Sequence, residues 1–258
     1  MLSYSHITNH INNKVNLMKP NPNKGRELYS EVNGKRYLRI PIQTHFIELG
    51  ENLHEIIEKY AAQHLKENDV LCIATKIVSI CTEGLTVHKD KVKISPLAKL
   101  ITKFVKKWPN DIGYSNPRKM QVAINRAGYP RIIIALVVGT IMKLIGKPGY
   151  FYRIAGNQIN AIDGFTVGYT SKPLFENYAF LPPRPKQAKE ICNKIEEKFN
   201  VSVVMLDGNN VENNIMGMGD RADRRFEKNE FKDIVKGNPQ GQEDDGNNTP
   251  LLIVREAE

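Results

Sequence analysis

Three separated stretches of this sequence join an apolar segment to carboxylate, amide and glycine residues. They are Asn160-Ala161-Ile162-Asp163-Gly164, Asp207-Gly208-Asn209-Asn210 and Gly241-Gln242-Glu243-Asp244-Asp245-Gly246. Carboxylate, amide and backbone oxygens are the donors that hard cations such as Mg²⁺ and Mn²⁺ prefer. Mg²⁺ commonly takes only one or two protein carboxylates and leaves its other positions to water and phosphate oxygens. Two Asp residues at strand ends plus an acidic, Gly-rich loop fit that pattern. Taken singly, each loop also reads as a surface turn, because Asp, Asn and Gly are turn formers for reasons of their own. Thr75 and Lys76 directly follow the apolar run VLCIA. A lysine just past a strand end can reach a phosphate and a threonine can donate to one; a solvated lysine is the alternative. His45 stands in an apolar-flanked, extended context that suits a hydrogen-bonded core residue equally well. The chain has neither a Walker A motif nor GxGxxG, and no Cys-His or Ser-His-Asp grouping is legible.

The elements that must position these residues can be read from periodicity. Leu53, Ile56, Ile57, Tyr60 and Ala61 share one face of a helix over 52–67, with His54 and His64 off it. VLCIA, 70–74, is a continuous apolar run of the length of a buried strand, as is VSVVML before Asp207. Ser95-Pro96 is an N-cap followed by proline at the first helical position, and Leu97, Leu100, Ile101, Phe104, Val105 and Trp108 form the stripe expected to be buried. Lys99, Lys103, Lys106 and Lys107 form a basic outer face. Asn116-Pro117 repeats the device, and Gly128 supplies the stop. The run IIIALVVGTIM, 132–142, is too short to span a bilayer, which takes ~20 residues, and reads as a buried core segment. Ala188, Ile191, Cys192, Ile195 and Phe199 share a further helical face, and LLIVRE closes the chain as a strand. Strands and helices alternate with connections long enough for parallel pairing, so the class is α/β (α+β), with mixed sheets packed against helices. Residues 1–24, rich in Asn and ending near Pro20 and Pro22, read as a disordered tail.

Composition narrows the setting. With 258 residues the chain can bury a sizeable core. Thirty-seven Lys and Arg against 28 Asp and Glu leave +9, which favours anionic partners: nucleotides, phosphates, acidic substrates or an anionic membrane surface. No basic stripe interleaved with aromatics is present, so nucleic acid is not expected. Cys72, Cys81 and Cys192 are odd in number and form no CxxC pair, which suits buried thiols in a reducing compartment, the cytoplasm.

Four stretches, in this order, resemble the coenzyme F-420 γ-glutamyl ligase family: IPIQTHFIELGENLHEII; NDVLCIATKIVSICTEG; AGNQINAIDG with LPPRP leading into VSVVMLDGNN; and NPQGQEDDGNNTPLLIVRE. The resemblance runs from about Ile40 to Arg255. It implies one γ-glutamyl ligase-like domain over 37–255, with room for two lobes, in a dimeric α/β enzyme. It also implies GTP as cosubstrate, two divalent cations (Mg²⁺ or Mn²⁺), an acceptor carboxylate activated as an acyl phosphate, and L-glutamate as the attacking amine. By position, Asp163 and Asp207 match metal-binding aspartates, and Gln242 or Glu243 matches a late metal or phosphate contact. Thr44, His45, Thr75, Lys76, Gly241 and Gln242 match nucleotide-contacting segments.

The departures from the family are specific. The family's Asp-Thr-Asn-Gly-Arg stretch, with a further Arg soon after, is here Asp207-Gly208-Asn209-Asn210-Val211, so Gly208 stands where the family has a Thr ligand and the basic charge is gone; Ile80 stands where a Lys is common, and Gly164-Phe165 where the family has Ser-Asn. The segment holding 132–145 is unlike the core family. These losses leave a second reading open, a non-catalytic ligand-binding or regulatory protein on the same fold.

Overall fold

The computed structural model describes residues 20–105, 113–147, 149–166, 173–208, 213–241 and 248–257. The strands are β1 (Tyr29–Val32), β2 (Lys35–Ile42), β3 (Val70–Ala74), β4 (Thr86–His88), β5 (Asp163–Gly164), β6 (Tyr178–Phe180), β7 (Ser202–Gly208), β8 (Asn213–Met218) and β9 (Leu251–Ala257). The helices are α1 (Leu53–Tyr60), α2 (Thr75–Cys81), α3 (Pro96–Thr102), α4 (Pro117–Ala127), α5 (Tyr129–Leu144) and α6 (Tyr150–Ala155). They continue with α7 (Asn157–Asn160), α8 (Pro173–Asn177), α9 (Pro185–Phe199), α10 (Asp220–Arg225) and α11 (Lys228–Ile234). A mixed six-stranded sheet runs β1-β2-β9-β3-β7-β8, and a small antiparallel sheet runs β4-β6-β5. The α/β class expected from the sequence is the observed one.

The continuous apolar runs become central strands because both faces of the large sheet are covered. Leu71 and Ile73, Val203 and Met205, and Leu251 and Ile253 point to one side, where α1, α2 and α9 pack. Val70 and Cys72, Val204 and Leu206, and Leu252 and Val254 point to the other, against α10 and α11. β3 and β7 pair in parallel, and β9 lies antiparallel between β2 and β3. The closing strand of the chain is therefore inserted near the middle of the sheet. A two-pronged ion pair from half-buried Arg255 to Oδ1 and Oδ2 of the buried Asp69, at 2.8 and 2.7 Å, ties β9 to the turn before β3.

A second core joins α3, α4, α5 and the small sheet around Ile101, Met120, Ile124, Ile132 and Ile159. Both predicted caps form: the Ser95 side chain accepts from the Ala98 N–H and the Asn116 side chain from the Arg118 N–H. Gly128, at φ 87°, ends α4 and begins α5, a backbone conformation that glycine adopts without a Cβ penalty.

Three expectations are corrected. Residues 1–19 lie outside the described chain, but Asn23, in the stretch read as tail, is buried and donates to the Pro239 carbonyl and to Thr249 Oγ1. In α3 the buried residues are Ala98, Ile101 and Thr102, whereas Leu100 and Phe104 are exposed: the helix stops at Thr102, so the longer stripe never closes onto the core; Trp108 lies outside the described residues. The run 132–142 is not a buried core segment. Only Ile132 and Ala135 of α5 are buried, because α4, α6 and the second core cover one side of this helix alone.

Candidate active site

The sheet register gathers the candidate residues at one edge. Ile42, Leu251, Ile73 and Met205 form a continuous row across β2, β9, β3 and β7. Two or three residues past that row lie Thr44, Thr75, Lys76 and Asp207, and just before it lie Asn248 to Pro250. Backbone hydrogen bonds lace the edge together: Thr44 N–H donates to the Asn248 carbonyl and Ala74 N–H to the Pro250 carbonyl. The parallel β3–β7 pair places both strand C-termini here, the end where open α/β sheets bind ligands.

Asp207, the penultimate residue of β7, has the same parity as Val203 and Met205, so it faces the side covered by α2. Asp163 arrives from the other sheet, on β5. Its Oδ2 is 2.7 Å from Lys76 Nζ and its Oδ1 is 4.0 Å from Lys119 Nζ. Burial works against ionising Asp163, but the charges of Lys76 and Lys119, with the Gly164 N–H at 2.7 Å, outweigh it and hold the carboxyl well below the usual carboxylate range. Asp207 goes the other way. Burial first, then the negative charge of Asp163, raise it to about 6, with Lys76 opposing. Two carboxylates and two ammonium groups thus share one electrostatic site. Tyr114 belongs to its wall: its hydroxyl donates to the Ile159 carbonyl, burial pushes its pKa up, and Lys119 Nζ lies 5.7 Å from its ring. Lys76 Nζ also lies 4.9 Å from the Phe175 ring.

Lys119 and Tyr114 are residues that sequence reading missed. Lys119 is 4% exposed on α4, yet in PRKMQVAINRA it looks like any surface lysine. Its one advance signal is its place in the first turn of a helix, where a cation is disfavoured by the helix dipole unless an anion compensates.

The remaining candidates divide. Thr75 is buried and donates to the Leu206 carbonyl at 2.9 Å, so its hydroxyl fastens α2 to β7 at the site. Thr44 donates to the His45 carbonyl. His45 is not in the core: it is exposed, with Nδ1 2.8 Å from the Tyr60 hydroxyl and Nε2 2.7 Å from Glu51 Oε2. Gly241, at φ 76°, closes a turn whose Gln240 side chain donates to the Pro250 carbonyl. Gln242 and Glu243 lie outside the described residues, as do Asn209 and Asn210.

Gly208 has a structural reason. A Cβ there would collide with the Asn213 amide oxygen and come within 2.8 Å of Asn238 Oδ1. Asn213 Oδ1 is buried and has no hydrogen-bond partner among the described residues, while its Nδ2 donates to the Val235 carbonyl at 2.5 Å. Two amide oxygens therefore converge beside the residue that follows Asp207.

The residues that could hold a divalent cation here are the carboxylates of Asp163 and Asp207, whose oxygens are hard donors. Burial and then the Asp163 charge push Asp207 toward its neutral form, an arrangement that a cation would relieve; the Asn213 amide oxygen, paired beside Gly208, lies on the opposite face of β7. Among the described residues no group of three or more His, Cys, Asp and Glu converges.

Comparison with curated proteins gives no match. The family model of F420-0:Gamma-glutamyl ligase matches residues 41–220. That span includes the last two residues of β2 and all of β3, β5 and β7, and with them Thr44, Lys76, Lys119, Asp163 and Asp207. It stops before β9. The chain therefore belongs to the F420-0:gamma-glutamyl ligase family.

Proposed function

We propose that this protein is a metal- and nucleotide-dependent ligase that joins an acceptor carboxylate to L-glutamate or a related amine through an acyl phosphate. The observation that carries the reading is the Asp163–Asp207–Lys76–Lys119 cluster at the C-terminal edge of the parallel β3–β7 pair. Asp163 and Asp207 would hold Mg²⁺ or Mn²⁺, with Gln242 or Glu243 as a further contact. A divalent cation there supplies neutralisation of the charge on a transferring phosphoryl group.

The reaction has two steps. An acceptor carboxylate oxygen attacks the γ-phosphorus of GTP, the β–γ bridging P–O bond breaks, and GDP leaves. The glutamate amine, having lost a proton, then attacks the acyl carbon, and phosphate departs with the bonding pair. In this scheme Lys76 and Lys119 attract the polyphosphate and the acceptor carboxylate to the cluster. Thr44, His45, Thr75, Gly241 and Gln242 belong to segments that would line the nucleotide. Phe175 and Tyr114 wall off water from one side, which lengthens the life of an acyl phosphate. The working unit is a homodimer in the cytoplasm.

A specific observation favours a second reading. The space beyond Asp207 is filled by Asn213 and Asn238, where the family's Thr would stand, and Lys76 already neutralises Asp163. A ligand-binding protein that no longer uses nucleotide has those features. Isothermal calorimetry with GTP and Mn²⁺ separates the two. Saturable GTP binding that requires the metal and is lost in Asp163→Asn supports the ligase; heat-silent titration with both metals sinks it.

A further inference from the structure

The solvent face of α5 is apolar. Ile133, Ile134, Val137, Ile141, Leu144 and Ile145 are 46–83% exposed. They fall on one side of the helix, opposite Ile132 and Ala135, which enter the core. The outer face of a soluble helix normally carries its charges, so this helix has the pattern reversed. At 16 residues it is about 24 Å long. No described helix is long and apolar enough to cross a membrane. α4 and α5 reach that standard only together, and the chain bends by 111° between them. α4 buries Met120, Val122, Ala123 and Ile124 in the protein, so it is not free to continue α5 into a span.

Charge decides what can cover this face. From residue 113 to residue 162 the chain has seven Lys and Arg and no Asp or Glu. Lys143 and Lys147 stand exposed at the C-terminal end of α5, and Arg131 at its start. On α6, exposed Arg153 lies 4.8 Å from the Tyr150 ring, and Tyr152 is exposed beside it. α6 is held close to α5, since a Cβ on Gly139 would be 3.0 Å from Phe151, and Arg131 Nε donates to the Ile154 carbonyl at 2.7 Å. A second copy docking through this face by two-fold symmetry would bring one acid-free cationic rim against another. An anionic bilayer meets both needs: acyl chains for the isoleucines, headgroups for the lysines, arginines and tyrosines.

We propose that α5, with α6 beside it, is an in-plane membrane-docking element that seats the protein on anionic lipid surfaces. The apolar face of α5 enters the headgroup–acyl boundary, with Arg131, Lys143, Lys147 and Arg153 spread around it at the phosphates. Lysine and arginine stems can lie along the apolar surface while their heads stay in the wet layer.

The test uses the full chain and vesicle co-sedimentation. One vesicle set is phosphatidylcholine alone, and the other contains about 30% phosphatidylglycerol, enough for a strongly negative surface. The wild-type protein should pellet with the anionic set at least about tenfold more tightly than with the neutral set, and lose most of that preference in high salt. Val137→Asp/Ile141→Asp changes two side chains that are already half exposed. It should bind at least about tenfold more weakly with an unchanged thermal melt. Lys143→Glu/Lys147→Glu should lose the preference for phosphatidylglycerol. Equal pelleting of wild type and Val137→Asp/Ile141→Asp overturns the proposal. So does absence of vesicle binding by the wild type, and so does a wild-type dimer that the same double substitution splits in sedimentation velocity with no change in lipid binding.

Discussion

Proton competition at Asp207 gives the sharpest check on the site. Burial and the Asp163 charge raise Asp207 to about 6, so a proton competes with a cation for it in an accessible pH range. For a ligand with that value, the apparent dissociation constant rises by one plus ten to the power of the pKa minus the pH. That is about elevenfold at pH 5 and about 1.1-fold at pH 7; an ordinary aspartate at about 3.9 would give less than about 1.1-fold at pH 5. Asp163 contributes nothing in this window, because Lys76 and Lys119 keep it ionised. Mn²⁺ titrations followed by electron paramagnetic resonance at pH 5, 6 and 7 should therefore weaken about tenfold on acidification, and Asp207→Asn should bind weakly at every pH. The same variant offers an independent readout without metal. A carboxyl with a raised folded-state pKa favours folding below its unfolded value and disfavours it once the pH rises through about 6. Asp207→Asn should thus stabilise the metal-free protein at pH 8, by about 2–3 kcal/mol before screening reduces it, and leave it unchanged at pH 4. A Mn²⁺ affinity that is flat between pH 5 and 7, with no gain in melting temperature for Asp207→Asn at pH 8, refutes the coupling of these carboxylates.

Other substitutions probe the surroundings. Lys76→Met removes the 2.7 Å counterion of Asp163; the pair is partly solvated and worth about 1 kcal/mol, so Mn²⁺ alone should bind about fivefold more tightly while nucleotide, by calorimetry, binds more weakly. Gly208→Thr restores the family's residue but collides with Asn213 and Asn238, and urea unfolding should show a loss of about 1–3 kcal/mol rather than a gain in metal affinity. Glu196, 3% exposed, accepts from the N–H groups of Val203, Arg221 and Ala222 at 3.0, 2.8 and 3.0 Å. Glu196→Ala strands all three, one in β7 and two at the start of α10, and should cost at least about 3 kcal/mol in the same measurement.

The central strands were legible because burial on both faces writes them as unbroken apolar runs, and α3 and α4 were legible at their starts because Ser-Pro and Asn-Pro are local chemistry. β1 and β5 were not, since each is defined by a distant partner: Tyr29 by Leu38 and Asp163 by Phe180. α5 was misjudged for a different reason. A helix apolar all round has the same periodicity whether protein or something else covers it, and only the fold shows that one side is left bare.

At the site, the two aspartates were legible as strand-end carboxylates, but their opposite characters were not. Those depend on two lysines brought by α2 and α4, one read as a possible phosphate grip and the other passed over. With both in place the cluster is close to neutral without any ion. A cation that enters must share Asp163 with Lys76, and a polyphosphate that enters gives Lys76 and Lys119 an alternative anion. In the proposed ligase each binding event would remove the obstacle to the other, so metal and nucleotide would be coupled through Lys76 rather than bound independently. That coupling gives the Gly208 departure its meaning. The amide oxygens of Asn213 and Asn238 crowd the place a Thr side chain would take, so in the proposed ligase the lysine-balanced pair of aspartates would be left to set how tightly a cation is held.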